Sequence, residues 1–219
     1  MMLTKFIKRK VRKFKTVLRR KKAKGKLLIA CAVAVVLLLL VGMANSRQNI
    51  PSVAYSPLLQ MVATAESRGN YNAYFSNASN KEIIFTKMSI SEVLAWQKEF
   101  VRSGNPSSAV GRYQIIQPTL EGLVQELNIH LDSKYDEKLQ DKLAIALMER
   151  RGSLDFINNK LPANEFAHNL SKEWASLPKV IGNAPESSFY EGDGLNSSLV
   201  SSSESLTAVE QFKKHAEEK

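Results

Sequence analysis

One cysteine, Cys31, and three histidines, His130, His168 and His215, are the only thiol and imidazoles in 219 residues. A lone thiol excludes an intrachain disulfide. So thin a set of soft ligands also argues against a zinc site, and no metal is expected. His168, among Phe166, Ala167 and Leu170, reads as a helix residue with a local partner. Acids are missing from one place in particular: residues 1–26 carry thirteen Lys or Arg and no Asp or Glu. The formal charge of +10 belongs to this tail, because residues 27–219 hold 18 basic and 21 acidic side chains, a net of −3. A mildly acidic domain is a poor electrostatic partner for nucleic acid.

Charge of either sign then vanishes over residues 27–44, LLIACAVAVVLLLLVGMA. As a helix this run is roughly 27 Å long, close to the thickness of a bilayer's hydrocarbon core. Basic residues crowd its N-terminal flank, and Arg47 alone follows on the other side. The expectation is a single-pass inner-membrane (or virion-membrane) protein, with residues 1–26 cytoplasmic and the rest periplasmic. A cleaved signal peptide competes, since Gly42-Met43-Ala44 offers small residues before a cut, but the charged region and apolar run both exceed the usual signal lengths. Leu28-Ile29-Ala30-Cys31 resembles a lipoprotein box, yet only four apolar residues of the run precede the cysteine. In the tail, Phe6, Ile7, Val11, Phe14, Val17 and Leu18 suit a helix lying on anionic lipid; charge that merely fixes orientation, or a tail-bound nucleic acid, are the alternatives.

Residues 45–56 read as a linker. Ser56-Pro57 opens a helix, with Ser as cap and Pro at the first helical position. Leu58, Leu59, Val62 and Ala65 form its apolar face, and Gly69 offers a stop, so Glu66 falls in the last turn. Residues 70–88 predict a loop with one or two short strands. Ser89-x-x-Glu92 is a capping box for a helix with Ile90, Val93, Leu94, Phe100 and Val101 on one face, ended by Gly104-Asn105-Pro106. Further helices are expected at 119–128, 135–151, 153–159 and 163–175, then a Ser/Gly-rich loop over 179–202 and a terminal helix over 203–216. The acidic group Asp132, Asp136, Glu137 and Asp141 has no calcium-loop spacing and reads as a solvated helix face. The exported part is therefore mainly α, with a small β element near residue 80.

Glu66 is the residue with chemical promise. A carboxyl at a helix C-terminus, beside an apolar face, is biased towards its neutral form. A neutral acid near neutral pH is what glycosidic cleavage requires. On spacing alone, a charged residue that merely ends a surface helix is the better explanation of Glu66. The surrounding residues decide. ESRGNYNAY, residues 66–74, resembles the Glu-Ser-x-Gly-Asn-x-x-Ala element of lytic transglycosylases, and SSAVGRYQIIQPTL, residues 107–120, resembles their Gly-x-x-Gln element. The Gly-Arg-Tyr-Gln form is similar to that of phage-lambda-type endolysins. So are FTKMSISEVLAWQ at 85–97, Gln140-Asp141-Lys142-Leu143-Ala144 before Arg150-Arg151-Gly152, and Trp174-Ala175-Ser176-Leu177-Pro178. The likeness runs from about residue 57 to 216, its five elements in order.

The resemblance implies an α+β lysozyme-like fold over 57–219 that cleaves the β-1,4 bond between N-acetylmuramic acid and N-acetylglucosamine. It puts Glu66 in the catalytic position and Ser67, Tyr71, Gly111, Arg112, Tyr113 and Gln114 on the sugar-binding side. Tyr113 suits a sugar face or the core equally; Arg112 suits a carboxylate, Glu66 itself or a surface acid. It implies no cofactor. An ordinary glycosidase needs a second carboxylate about 5–10 Å from the first, and the next acid along the chain is Glu82. In the resembling family a lone Glu suffices, because the muramic acid's 6-hydroxyl displaces the leaving group and leaves a 1,6-anhydro end. Two departures stand out: the basic tail and span, and the absence of the Ala-x-x-Ala-Tyr-Asn element of other lytic transglycosylases. The partners expected are glycan strands, membrane lipid, and phage or secretion-machine proteins. A hydrolytic lysozyme pairing Glu66 with Glu82 and a non-catalytic wall tether are the rival readings.

Overall fold

Helical periodicity over residues 56–217 is realised in a computed structural model that describes residues 50–192, 194 and 196–218. The basic tail 1–26 and the apolar run 27–44 lie outside the described residues, and no helix among the described residues is long and apolar enough to cross a membrane. A 3-10 turn, Ser52–Tyr55, leads into α1 (Ser56–Ser67), followed by α2 (Ile90–Arg102), α3 (Gln117–Glu126), α4 (Glu137–Arg150), α5 (Ser153–Ile157), α6 (Ala163–Ser171) and α7 (Ser202–Glu217).

Ser56 does not cap α1. The preceding 3-10 turn runs straight into the helix, so the Ser56 N–H finds Val53 O and no side-chain cap forms. Burying Leu58, Val62 and Ala63 fixes which face turns inward, and α7 packs against it. Behind them Tyr55, Phe156, Phe166 and Phe212 form an aromatic cluster, with Phe156 and Phe166 stacked at 5.1 Å. The Tyr55 hydroxyl shares a 2.9 Å hydrogen bond with Ser153 Oγ, which satisfies both buried polar groups. Full burial of side chains of this size contributes about 1.5–3 kcal/mol each. Around α2 a second cluster joins Tyr74, Phe85, Trp96 and Phe100, and Trp96 stacks on Phe100 at 4.6 Å.

The Ser89–Glu92 capping box forms as expected: Ser89 Oγ accepts from the Glu92 N–H, and Glu92 Oε2 accepts from the Ser89 N–H. A second capping box at Ser201 and Glu204 starts α7. The strands expected within 70–88 are absent. Phe85–Lys87 is a 3-10 turn, and pairing is reduced to single bridges, Tyr74 with Asn77 and Val110, and Val110 with Ile115. Asparagine side chains replace the missing ladder. Asn80 Nδ2 donates to Asn72 O and Ile83 O, while its Oδ1 accepts from the Glu82 and Ile83 N–H groups. Asn72 Oδ1 accepts from the Thr86 N–H, and Asn70 Nδ2 donates to Ala78 O and Asn80 O. Local amide bonding of this kind competes directly with strand pairing.

Nor is the acidic group near α4 wholly solvated. Asp136 caps the helix by accepting from the Leu139 N–H. Asp141 is half-buried and accepts two phenolic protons, described below.

Candidate active site

The C-terminal end of α1 opens on a cleft. Arg68 and Gly69 both adopt left-handed backbone, φ 55° and 83°, and their N–H groups converge on Ala63 O. This turn stops the helix immediately after Glu66 and Ser67. The Glu66 side chain, half-buried, lines a cleft of about 510 Å³ together with Phe75, Gln114, Trp174, Ser176 and Tyr190. Burial raises its pKa above the ordinary carboxyl range, because low-polarity surroundings penalise the carboxylate. Ser176 works in the opposite direction: its Oγ donates a 2.6 Å hydrogen bond to Glu66 Oε1. A carboxyl held in this way is oriented, biased towards its neutral form, and open to a substrate in the cleft.

Of the residues expected to meet sugar, only Gln114 joins Glu66 on the cleft wall. It caps a tight turn in which Val110 and Ile115 exchange backbone hydrogen bonds, and its Nε2 donates to Gly111 O at 2.8 Å. The others stand behind that wall. Ser67 is buried, and its Oγ donates to Arg112 O at 2.7 Å, tying the end of α1 to the turn. Gly111, at φ 81°, lies so close to Gln140 and Tyr135 that no side chain fits there. Tyr113 is 1 % exposed, so its ring belongs to the core and offers no face to a sugar. Its hydroxyl donates to Asp141 Oδ1 at 2.6 Å, and the Tyr71 hydroxyl donates to the same oxygen at 2.9 Å. Burial and the Asp141 carboxylate push the Tyr113 phenol well above its usual pKa.

Arg112 serves neither role expected of it. Among the described residues it pairs with no acid: Nη1 donates to the Tyr71 hydroxyl at 2.6 Å and Nη2 to Gln60 Oε1 at 3.0 Å. Its guanidinium also lies over the Tyr71 ring, 4.8 Å from the centroid. Gln140 completes this scaffold from α4. Its Oε1 accepts from the Arg112 N–H, and its Nε2 donates to Tyr71 O and Tyr135 O. The network fastens α4, the turn at 110–115 and the end of α1 into one unit. Tyr71, Arg112 and Tyr113 thus position the end of α1.

Ser176, Glu173 and Tyr190 were given no role by the sequence reading. Only Trp174-Ala175-Ser176-Leu177-Pro178 signalled the first, as a motif without an assigned function. Trp174 is buried and donates from Nε1 to Tyr113 O at 3.1 Å, which places Ser176 beside Glu66. Glu173 also lines the cleft, and its Oε2 is held by Arg151 Nε at 2.8 Å and Nη2 at 2.7 Å. Glu82 does not line it; it is exposed, with its N–H bonded to Asn80 Oδ1. His168 has the expected local partner, Lys179 O, 2.8 Å from Nδ1.

A family model described as Endolysin matches residues 56–191, more than half of the chain. The chain belongs to the endolysin family. Its work is therefore that of a phage enzyme that degrades peptidoglycan. Searches of curated proteins and of solved structures returned no match. The matched residues include Glu66, Gln114, Ser176 and Tyr190, while Asn196, Ser197 and Leu199 of the cleft lie beyond the matched span.

Proposed function

We propose that this endolysin is a lytic transglycosylase in which Glu66 acts first as acid and then as base. The observation that carries the reading is the state of Glu66: a half-buried carboxyl with raised pKa, oriented by Ser176, in a cleft whose other acid among the described residues, Glu173, is held by an arginine. Glu66 protonates the glycosidic oxygen as the C1–O bond of N-acetylmuramic acid breaks. The 6-hydroxyl oxygen of the same sugar bonds to C1, and the Glu66 carboxylate takes the hydroxyl proton. Glu66 ends protonated, the product carries a 1,6-anhydro ring, and no water is consumed.

Hydrolysis is the second reading, and Glu173 favours it because it lines the same cleft. A carboxylate fixed in place by Arg151 could direct a water to C1. Mass spectrometry of digested sacculi separates the two. Anhydro ends that persist in Glu173→Gln support transglycosylation. Reducing ends, heavier by one water, together with inactivity of Glu173→Gln, overturn it. Failure of the parent chain to clear sacculi any better than an inert Glu66→Gln would leave only a wall-binding tether.

The apolar run 27–44 and the basic tail before it support an enzyme held in the inner membrane with its cleft in the periplasm. An anchored chain resists extraction of membranes with alkaline carbonate and keeps Met1 or Met2 at its N-terminus. A soluble form beginning just after Ala44 would show a cleaved signal instead.

A further inference from the structure

Three aromatic residues line the cleft beside Glu66: Phe75, Trp174 and Tyr190. Trp174 is 4 % exposed and committed to Tyr113 O, and Phe75 is half-buried. Tyr190 is 41 % exposed, the most open of the three to solvent. An exposed tyrosine usually turns freely, but this one is tethered. Its hydroxyl donates to Lys172 O at 2.8 Å, and its N–H donates to Ser188 Oγ at 3.1 Å. Lys172 O also accepts from Arg151 Nη2, the arginine that holds Glu173. Phe189 packs edge-on against the Tyr190 ring at 5.4 Å and 73°, and His168 lies edge-on to Phe189. Burial of the loop base at Ser188, which is 1 % exposed and bridges to Pro178, fixes the segment that carries the ring.

A pinned, solvent-facing aromatic beside a general acid has a direct chemical counterpart. β-Linked N-acetylhexosamines place their ring substituents equatorially, which leaves axial C–H groups on each pyranose face. Those C–H groups are weakly positive, and the face of an aromatic ring is negative. An oriented ring with its hydroxyl already bonded loses little freedom when a sugar settles on it. We infer that Tyr190 is the pyranose-stacking platform of the cleft, binding a ring of the glycan strand next to the bond that Glu66 cleaves. It takes the role the sequence suggested for Tyr113. This inference rests on the glycan-cleaving reading of the site.

The test uses the full-length chain carrying Glu66→Gln, so that binding is read without turnover, and stem-free glycan strands prepared by amidase treatment of sacculi. Calorimetry should show that Tyr190→Ala weakens binding roughly tenfold, the size of one good aromatic contact. Tyr190→Phe, which keeps the ring, and Tyr190→Trp should both stay near the parent value. Equal affinity for parent and Tyr190→Ala overturns the inference, as does a Phe variant as weak as the Ala variant. If Tyr190→Ala also lowers the melting temperature, recovery of binding by Trp decides for the platform, and failure of Trp to bind decides against it. The reading of Glu66 fails separately, if Glu66→Gln with Tyr190 intact still cuts the strands.

Discussion

Ser176 Oγ lies 2.6 Å from Glu66 Oε1, across 110 residues of chain. The contact joins the end of α1 to the turn after α6, and it sets both the direction of the carboxyl and its acidity. Removing the hydroxyl takes away a bond that favours the carboxylate, so Ser176→Ala should raise the Glu66 pKa further. Cleavage needs the neutral acid. Its alkaline limb should therefore move to higher pH in the variant, while the maximal rate falls because the carboxyl is no longer oriented. A pH–rate profile on sacculi checks both.

Glu66→Gln should lower the cleavage rate by about 10²–10⁴-fold, the range of general acid–base catalysis, with the circular dichroism spectrum unchanged. It should also make the protein more stable at neutral pH. The folded-state pKa of Glu66 lies above its unfolded value, so the stability associated with its protonated form is complete at low pH and is lost as pH rises through the folded pKa. Glutamine stays neutral and can still accept from Ser176. The gain in melting temperature should thus appear at neutral pH and fade under acid.

Gly111→Ala should destabilise the domain by about 2–4 kcal/mol, from a left-handed backbone position combined with overpacking. The added carbon would meet the Gln140 amide and lie 2.9 Å from the Tyr135 hydroxyl. Urea denaturation measures the loss, and Gly122→Ala, where the added carbon meets nothing, is the control.

Gln140→Leu keeps the volume of a buried side chain and removes its three bonds to Arg112 N–H, Tyr71 O and Tyr135 O. Leaving buried partners unsatisfied costs about 1–3 kcal/mol per group. Because two of those partners belong to the turn and loop flanking the catalytic helix, activity should fall at temperatures where the fold persists. Parallel melting and activity curves separate the two effects.

Most helices were legible in the sequence because periodic apolar faces and caps are local signals. Ser89 and Glu92 mark a start whether or not anything packs beside them. The strands foreseen near residue 80 failed because the β-prone run Ile83-Ile84-Phe85 is overruled by Asn70, Asn72 and Asn80, whose amides take the backbone groups a ladder would use. At the site, Glu66 could be named from its motif and its place at a helix end. Its neighbours could not. Tyr113 and Tyr190 are the same residue type, and only the fold decides that one is walled in and the other faces the cleft. Ser176 reaches Glu66 through Trp174 packing on the 110–115 turn, a contact between distant segments that no local pattern announces.

The asparagine bracket at 70–86 has a consequence for crowded solutions. An open sheet presents a row of unpaired N–H and C=O groups that can recruit another chain. Among the described residues, side-chain amides absorb those groups internally, and no strand margin is left for a second copy to extend. Substituting Asn80 would therefore do more than loosen a loop: it would uncover sticky backbone in an apolar stretch, and light scattering at high concentration should register it.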